Sequence, residues 1–115
     1  MGPMRCSIVI PCWNGAELTR ACLHSLQQQQ GDHDLEILLV DNASQDDTAE
    51  LGRLDGRIRV LRQPHNRGFA GGVNRGLAAA HQPFVLVLNN DTRAAPNLLS
   101  ELHRVLASDP RIGAV

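Results

Sequence analysis

The sequence predicts an α/β protein: an open, mainly parallel sheet with helices on both faces and strand order 3-2-1-4. Three observations lead there. Apolar runs bounded by turn residues recur at 6–10, 35–40, 58–61 and 84–88, with the length and composition of strands. Segments with helical spacing lie between and after them, so strand and helix alternate. Three of the four runs are almost continuously apolar, as in parallel strands covered on both faces. In the third run, Arg57, Arg59 and Arg62 interleave with apolar residues, which marks an edge. A right-handed crossover path then favours the order three, two, one, four, with a reversal between strands one and four where ligands bind such sheets.

Each element has its own signature. The first strand runs into Pro11-Cys12-Trp13-Asn14-Gly15, and a helix follows with Leu18, Ala21, Cys22, Ser25 and Leu26 on one face. The run from Gln27 to Gln30 reads as a solvated turn before Gly31. The second strand delivers Asp41-Asn42-Ala43-Ser44, and Asn14 and Ser44 are candidate helix caps. A short second helix is expected at about 46–54. The third strand leads to His65-Asn66-Arg67-Gly68, before a helix that lines up Ala70, Val73, Asn74, Leu77 and Ala78. The fourth strand ends in Asn89-Asn90-Asp91-Thr92, and Pro96 starts a helix carrying Leu98, Leu102, Val105 and Leu106. Residues 109–115 read as a turn and the opening of a fifth strand, so the domain is expected to be truncated. The first four residues hold two candidate initiators, are expected to include vector-derived residues, and are set aside from the fold.

Composition excludes several functions. The chain has 115 residues, enough for one domain, and a formal charge of −1 with both signs interspersed. That balance offers no basic face for nucleic acid. Eleven arginines stand against no lysine. A Walker-type phosphate loop and Schiff-base chemistry are therefore both ruled out. Cys6, Cys12 and Cys22 have no C-x-x-C spacing and read as reduced core thiols. No run approaches the ~18 apolar residues of a membrane span, and a cytoplasmic location is expected. Of the five histidines, His24 and His103 are expected to face solvent, and only His65 approaches the strand ends.

All four strands deliver polar groups to one edge, although each loop alone also fits a plain turn. Asp41, an acceptor at the end of a buried strand, suits the imide N–H of a uracil or thymine ring. Trp13 either lies on the base face or walls the pocket. Asp91 can supply a hard carboxylate to Mg²⁺ or Mn²⁺. One carboxylate beside neutral amides is a weak site until a diphosphate completes the shell, so metal binding is expected to be nucleotide-linked. Residues 66–72 open a helix after a strand but lack the G-x-G-x-x-G order, a weak signal for a dinucleotide. The helix start can still accept an anion, with Arg67 adding charge. Gly71 and Gly72 equally suit close helix–sheet packing.

Four segments together, SIVIPCWNG at 7–15, LVDNASQDDT at 39–48, NRGFAGGVNRG at 66–76 and LNNDT at 88–92, resemble glycosyltransferase family 2 in order and spacing. The last two most resemble its bacterial rhamnosyltransferase-like branch, whose members serve cell-wall or polysaccharide biosynthesis. The resemblance implies that residues 1–115 are the N-terminal part of a GT-A nucleotide-diphospho-sugar domain. It implies an inverting, Mg²⁺- or Mn²⁺-dependent transfer from a UDP- or dTDP-sugar to a glycan or other hydroxyl acceptor. By the same resemblance Pro11, Trp13 and Asp41 hold the base, with Cys12, Asn14 and Asn42 beside them. Arg67 and Gly68 lie along the nucleotide. Asn89, Asn90 and Asp91 fill the place of the D-x-D motif, with Asp91 as metal ligand. No catalytic residue is assigned in the chain, because the family draws its base from a region expected beyond Val115. The isolated chain is accordingly expected to be inactive in transfer. A position at the inner face of the membrane in the full-length protein and a homodimer are further expectations. The alternative is a non-catalytic nucleotide-binding or interaction module.

Overall fold

The computed structural model describes residues 3–115. Its elements run β1 (Arg5–Cys12), α1 (Ala16–Gln27), β2 (Asp34–Asp41), a 3-10 helix (Asp47–Leu54), β3 (Ile58–Arg62), α2 (Gly68–Ala79), β4 (Phe84–Val87) and α3 (Leu98–Ser108). The four strands form one sheet in the order β3-β2-β1-β4, as expected. Every pairing is parallel, and the register places Cys12 beside Asp41 and Asp41 beside Arg62. Three strand ends therefore finish level, and their loops open on the same edge.

Side-chain alternation along each strand sorts the core into two layers. On one face Ile8, Ile10, Ile37 and Leu39 pack against Cys22, Leu23 and Leu26 of α1, Leu51 of the 3-10 helix and Leu99 of α3. On the other, Val9, Leu38, Val40 and Leu61 pack against Ala79 of α2. Helices thus lie on both faces. The cover is incomplete over β4, where Val85 and Val87 are exposed. Its apolar run is legible as a strand but not as a buried one.

Several local expectations need correction. Helix α1 buries Thr19 and Leu23 and exposes Leu18. Burial of Thr19 is affordable because its hydroxyl donates to the Gly15 carbonyl and accepts from Asn90 Nδ2. Helix α2 buries Gly72, Gly76 and Ala79, not the row containing Ala70, Asn74 and Leu77. Here closeness outranks hydrophobicity: a Cβ on Gly76 would lie 2.3 Å from Val9 Cγ1. Neither Asn14 nor Ser44 caps a helix. Asp46 does so twice, accepting from Thr48 N of the 3-10 helix and from Ala16 N of α1.

Helix α3 begins at Leu98, two residues after Pro96. Gln29 sets its approach, donating to the Ala95 carbonyl and accepting from Leu99 N, so this glutamine is a clamp and not merely part of a solvated turn. His103 is half-buried, its ring edge-on to Phe84 at 5.7 Å. Residues 109–112 form a turn, closed by Ile112 N donating to the Asp109 carbonyl, and no fifth strand follows among the described residues. All three cysteines are buried and free, as expected.

Candidate functional site

The β1–α1 and β2–3-10 loops are laced into one surface. Asn14 and Ala43 take left-handed backbone conformations, at φ 53° and 62°. Asn14 N donates to Ser44 Oγ at 2.7 Å, and Gln45 N donates to Asn14 Oδ1 at 2.8 Å. Asp46 joins the starts of two helices. Its carboxyl is held below the ordinary range first by the Thr48 hydroxyl, against the effect of burial, and further by the backbone N–H groups of Thr48 and Ala16.

Asp41 is completely buried beneath this lacing. Its Oδ1 accepts from Ser44 N at 2.9 Å, and its Oδ2 accepts from Arg62 Nη1 at 2.6 Å. Arg62 also donates to the Ser44 carbonyl. The carboxylate thus faces its own loop and the neighbouring strand. Next to it Asn42, 4% exposed, donates from Nδ2 to the Gly68 carbonyl at 3.2 Å. A carbonyl can only accept, so the amide nitrogen must face it and Oδ1 must point elsewhere. That Oδ1 is buried and has no donor among the described residues.

A cavity of about 300 Å³ opens at this edge. Pro11, Cys12 and Trp13 line it from the end of β1, and Asn42 from the end of β2. Asn66, Gly68 and Phe69 come from the β3–α2 junction, and Asn90 from the loop after β4. Every strand end contributes. Gly72 permits the close approach of α2, since a Cβ there would meet Pro11 Cβ at 2.9 Å and Asn42 Nδ2 at 3.0 Å. Asn66 Oδ1 accepts from Gly68 N and shapes the turn into the helix. Burial first, then the charges of Asp41 and Asp46, push the Cys12 thiol up to about 12, so it stays protonated and lines the cavity as a small apolar group. A larger hollow of about 370 Å³ lies along β4 and α3, but its lining is mostly apolar and away from these loops.

Of the residues singled out from sequence, the cavity gathers Pro11, Cys12, Trp13, Asn42, Gly68 and Asn90. Asp41, Asn14, Arg67, Asn89 and Asp91 do not line it, and neither does His65. Arg67 is the exposed N-cap residue of α2, its stem in the space that Gly71 leaves free. Asp91 follows Asn90 directly; it is exposed, and no ion pair among the described residues engages it. No group of three or more His, Cys, Asp or Glu is placed to hold a metal among the described residues. The cavity also takes in Asn66 and Phe69, to which the sequence assigns no individual role, and Thr19 lies behind it, bonded to Asn90. The polar, turn-forming character of the 66–68 segment was the available signal for Asn66; nothing local marked Thr19.

An open parallel sheet whose order reverses between β1 and β4, with four strand ends meeting at one cavity, is an α/β domain of the doubly wound type, a class in which ligands bind at such a reversal. The chain belongs to glycosyl transferase family 2, whose family model matches residues 7–115. A Bacillus subtilis relative, the uncharacterized glycosyltransferase YfnE, is 33% identical over 101 residues, covering 85% of this chain and 26% of that protein. Among solved structures, the mannosyltransferase PcManGT from Pyrobaculum calidifontis, in complex with GDP-Man and Mn²⁺, superposes with a TM-score of 0.86 at 26% identity. That match covers 98% of this chain and 34% of the other. S. aureus TarS 1-349 in complex with UDP gives a TM-score of 0.80 at 25% identity, over 90% and 32% of the two chains. The chain spans about a quarter to a third of the length of these proteins. The fold is therefore GT-A-like. No helix among the described residues is long and apolar enough to cross a membrane.

Proposed function

We propose that this chain is the donor-binding part of an inverting glycosyltransferase that takes a UDP- or dTDP-sugar and passes the sugar to a glycan or other hydroxyl acceptor. The observation that carries this reading is the strand-end cavity, rimmed by exposed Trp13 and lined by Asn42, whose Oδ1 is buried without a donor. A buried acceptor without a donor costs about 1–3 kcal/mol, which a ring N–H brought by a ligand recovers. A uracil or thymine ring has a single imide N–H and matches a single acceptor. Guanine has adjacent N1 and N2 donors and suits a carboxylate better. Asp41, its two oxygens already engaged, holds the loop that carries Asn42.

Asp91 fits a divalent ion of the kind bound to the mannosyltransferase neighbour: an exposed, unpaired carboxylate one residue beyond the cavity-lining Asn90. A single protein carboxylate suits Mg²⁺ or Mn²⁺ that takes its remaining ligands from water and phosphate. The ion would supply Lewis acidity to a departing diphosphate. Arg67 and the first N–H groups of α2 add positive potential on the same edge. The cavity lining contains no carboxylate to take a proton from an acceptor hydroxyl. On this reading the 115 residues bind donor but do not turn it over efficiently.

Thermal shift with UDP, dTDP and GDP, with and without Mn²⁺, tests the assignment. Stabilisation by the pyrimidine diphosphates, enhanced by Mn²⁺, is expected. Asp91→Asn should remove the Mn²⁺ increment and leave metal-free binding in place. No response to any of the three nucleotides would refute the reading, as would an Mn²⁺ increment that survives in Asp91→Asn for the metal role.

A further inference from the structure

The chain has only three aromatic side chains, one Trp and two Phe, and no Tyr. Phe84, the first residue of β4, is partly buried against the core layer. The other two, Trp13 at 57% and Phe69 at 59%, are exposed, and both line the same strand-end cavity from different loops. An aromatic ring buries about 150–250 Å² when it packs, so two left open beside one polar cavity await a flat partner. We propose that Phe69 is a second aromatic wall of this cavity and positions the nucleobase together with Trp13. The inference rests on the nucleotide-sugar reading above and adds a binding residue to it.

Helix geometry explains how Phe69 comes to be there. Gly72 and Gly76 let α2 sit directly on the Pro11 and Val9 side chains of β1. That closeness brings the first turn of the helix, and Phe69 with it, to the cavity edge. Gly68, at φ 72°, turns the chain into this helix, and its carbonyl fixes the Asn42 amide. One short segment thus orients the unpaired acceptor and supplies an aromatic face beside it. Leu77, the other exposed large apolar residue of α2, lies about 12 Å further along the helix axis and does not line the cavity. Packing against another surface accounts for Leu77 but not for the polar company of Phe69.

Trp13 is the only tryptophan, so its fluorescence reports on the cavity without a label. Titrations of the chain with UDP and with pyrophosphate, both in Mg²⁺, separate base contacts from phosphate contacts. Stacking on an aromatic side chain predicts that Phe69→Ala weakens UDP roughly ten- to a hundredfold. Pyrophosphate affinity, measured by calorimetry, should stay within about twofold, and Phe69→Trp should restore UDP binding. Circular dichroism of both variants should match wild type, because the side chain is exposed. Wild-type UDP affinity retained in Phe69→Ala would overturn the inference while leaving the function standing. Equal losses for UDP and pyrophosphate would also overturn it, since they would mean a displaced helix. A wild-type chain blind to UDP, dTDP and GDP alike would take the function and the inference down together.

Discussion

Gly76→Ala probes the contact that sets the height of α2 above the sheet. An added Cβ would lie 2.3 Å from Val9 Cγ1, 3.1 Å from Cγ2 and 3.2 Å from Cβ. Ordinary carbon contacts are about 3.5–4.0 Å, so one partner must retreat by more than about 1 Å. Val9 is fully buried in β1, hydrogen-bonded between β2 and β4, and its β-branched side chain has few rotamers to escape into. The helix must therefore lift. Overpacking of this kind costs about 1–3 kcal/mol, and the large displacement puts the cost in the upper half of that range. Alanine's better helix propensity returns up to about 1 kcal/mol. A net loss of about 1–2 kcal/mol follows, which for a domain of this size lowers Tm by roughly 4–8 °C. Urea and thermal unfolding followed by circular dichroism give both numbers. Gly113→Ala, with no atom within 4 Å of its added Cβ, is the neutral control. Adding Val9→Ala to Gly76→Ala should relieve the clash, so the double variant loses less than the sum of the two singles. A Gly76→Ala chain as stable as wild type would refute the claim that this glycine is there for closeness.

Acid should find Asp55. The Arg57 side chain first, and its backbone N–H second, hold this carboxyl down at about 2, below the ordinary 3.8 of an aspartate. Because the folded value is the lower one, the interaction stabilises fully above about pH 4 and is lost as pH falls from there towards about 2. Asp55→Asn should therefore be less stable than wild type near neutrality, with the gap closing over that acid window in urea midpoints. A gap independent of pH would contradict the assignment. Thiol chemistry provides the third check. Burial pushes Cys6 and Cys22 up to about 11, with opposing or added smaller effects, and Cys12 to about 12. Iodoacetamide at pH 8 should leave all three untouched in the native chain and modify all three in urea, read by mass spectrometry; rapid native labelling of Cys12 would contradict its packed state.

Much of the frame was legible because it depends on near-neighbour patterns. Apolar runs, their punctuation and the arginines of the third strand suffice to order the sheet, and β1 to β4 pair as that order requires. Helix faces were less legible. Periodicity ranks residues by hydrophobicity, and on α2 that ranking selects a row containing Leu77, which is exposed. What decides the face is the room available over Val9 and Pro11, which only small residues can share. The same limit applies at Gln29, whose clamp on Ala95 and Leu99 joins residues more than sixty positions apart.

At the site, the four loops were readable but the division of labour within them was not. Asp41 and Asn42 are adjacent, both acceptors, and both at the end of β2. On charge alone Asp41 is the stronger candidate for a ligand N–H. Register reverses that preference. Asp41 lies beside Arg62 on β3, and a buried carboxylate next to a guanidinium is drawn into an ion pair, with Ser44 N completing its shell. Asp41 is fully buried while Arg62 is half-exposed, so drawing the guanidinium away leaves a buried carboxylate without its counter-charge. A ligand competing for Asp41 would have to meet that cost, whereas a ligand donating to Asn42 Oδ1 relieves one. On the nucleotide-binding role proposed above, this asymmetry between two neighbouring residues, set by a strand pairing that local sequence does not contain, favours the neutral side chain over the charged one as acceptor of a ligand N–H.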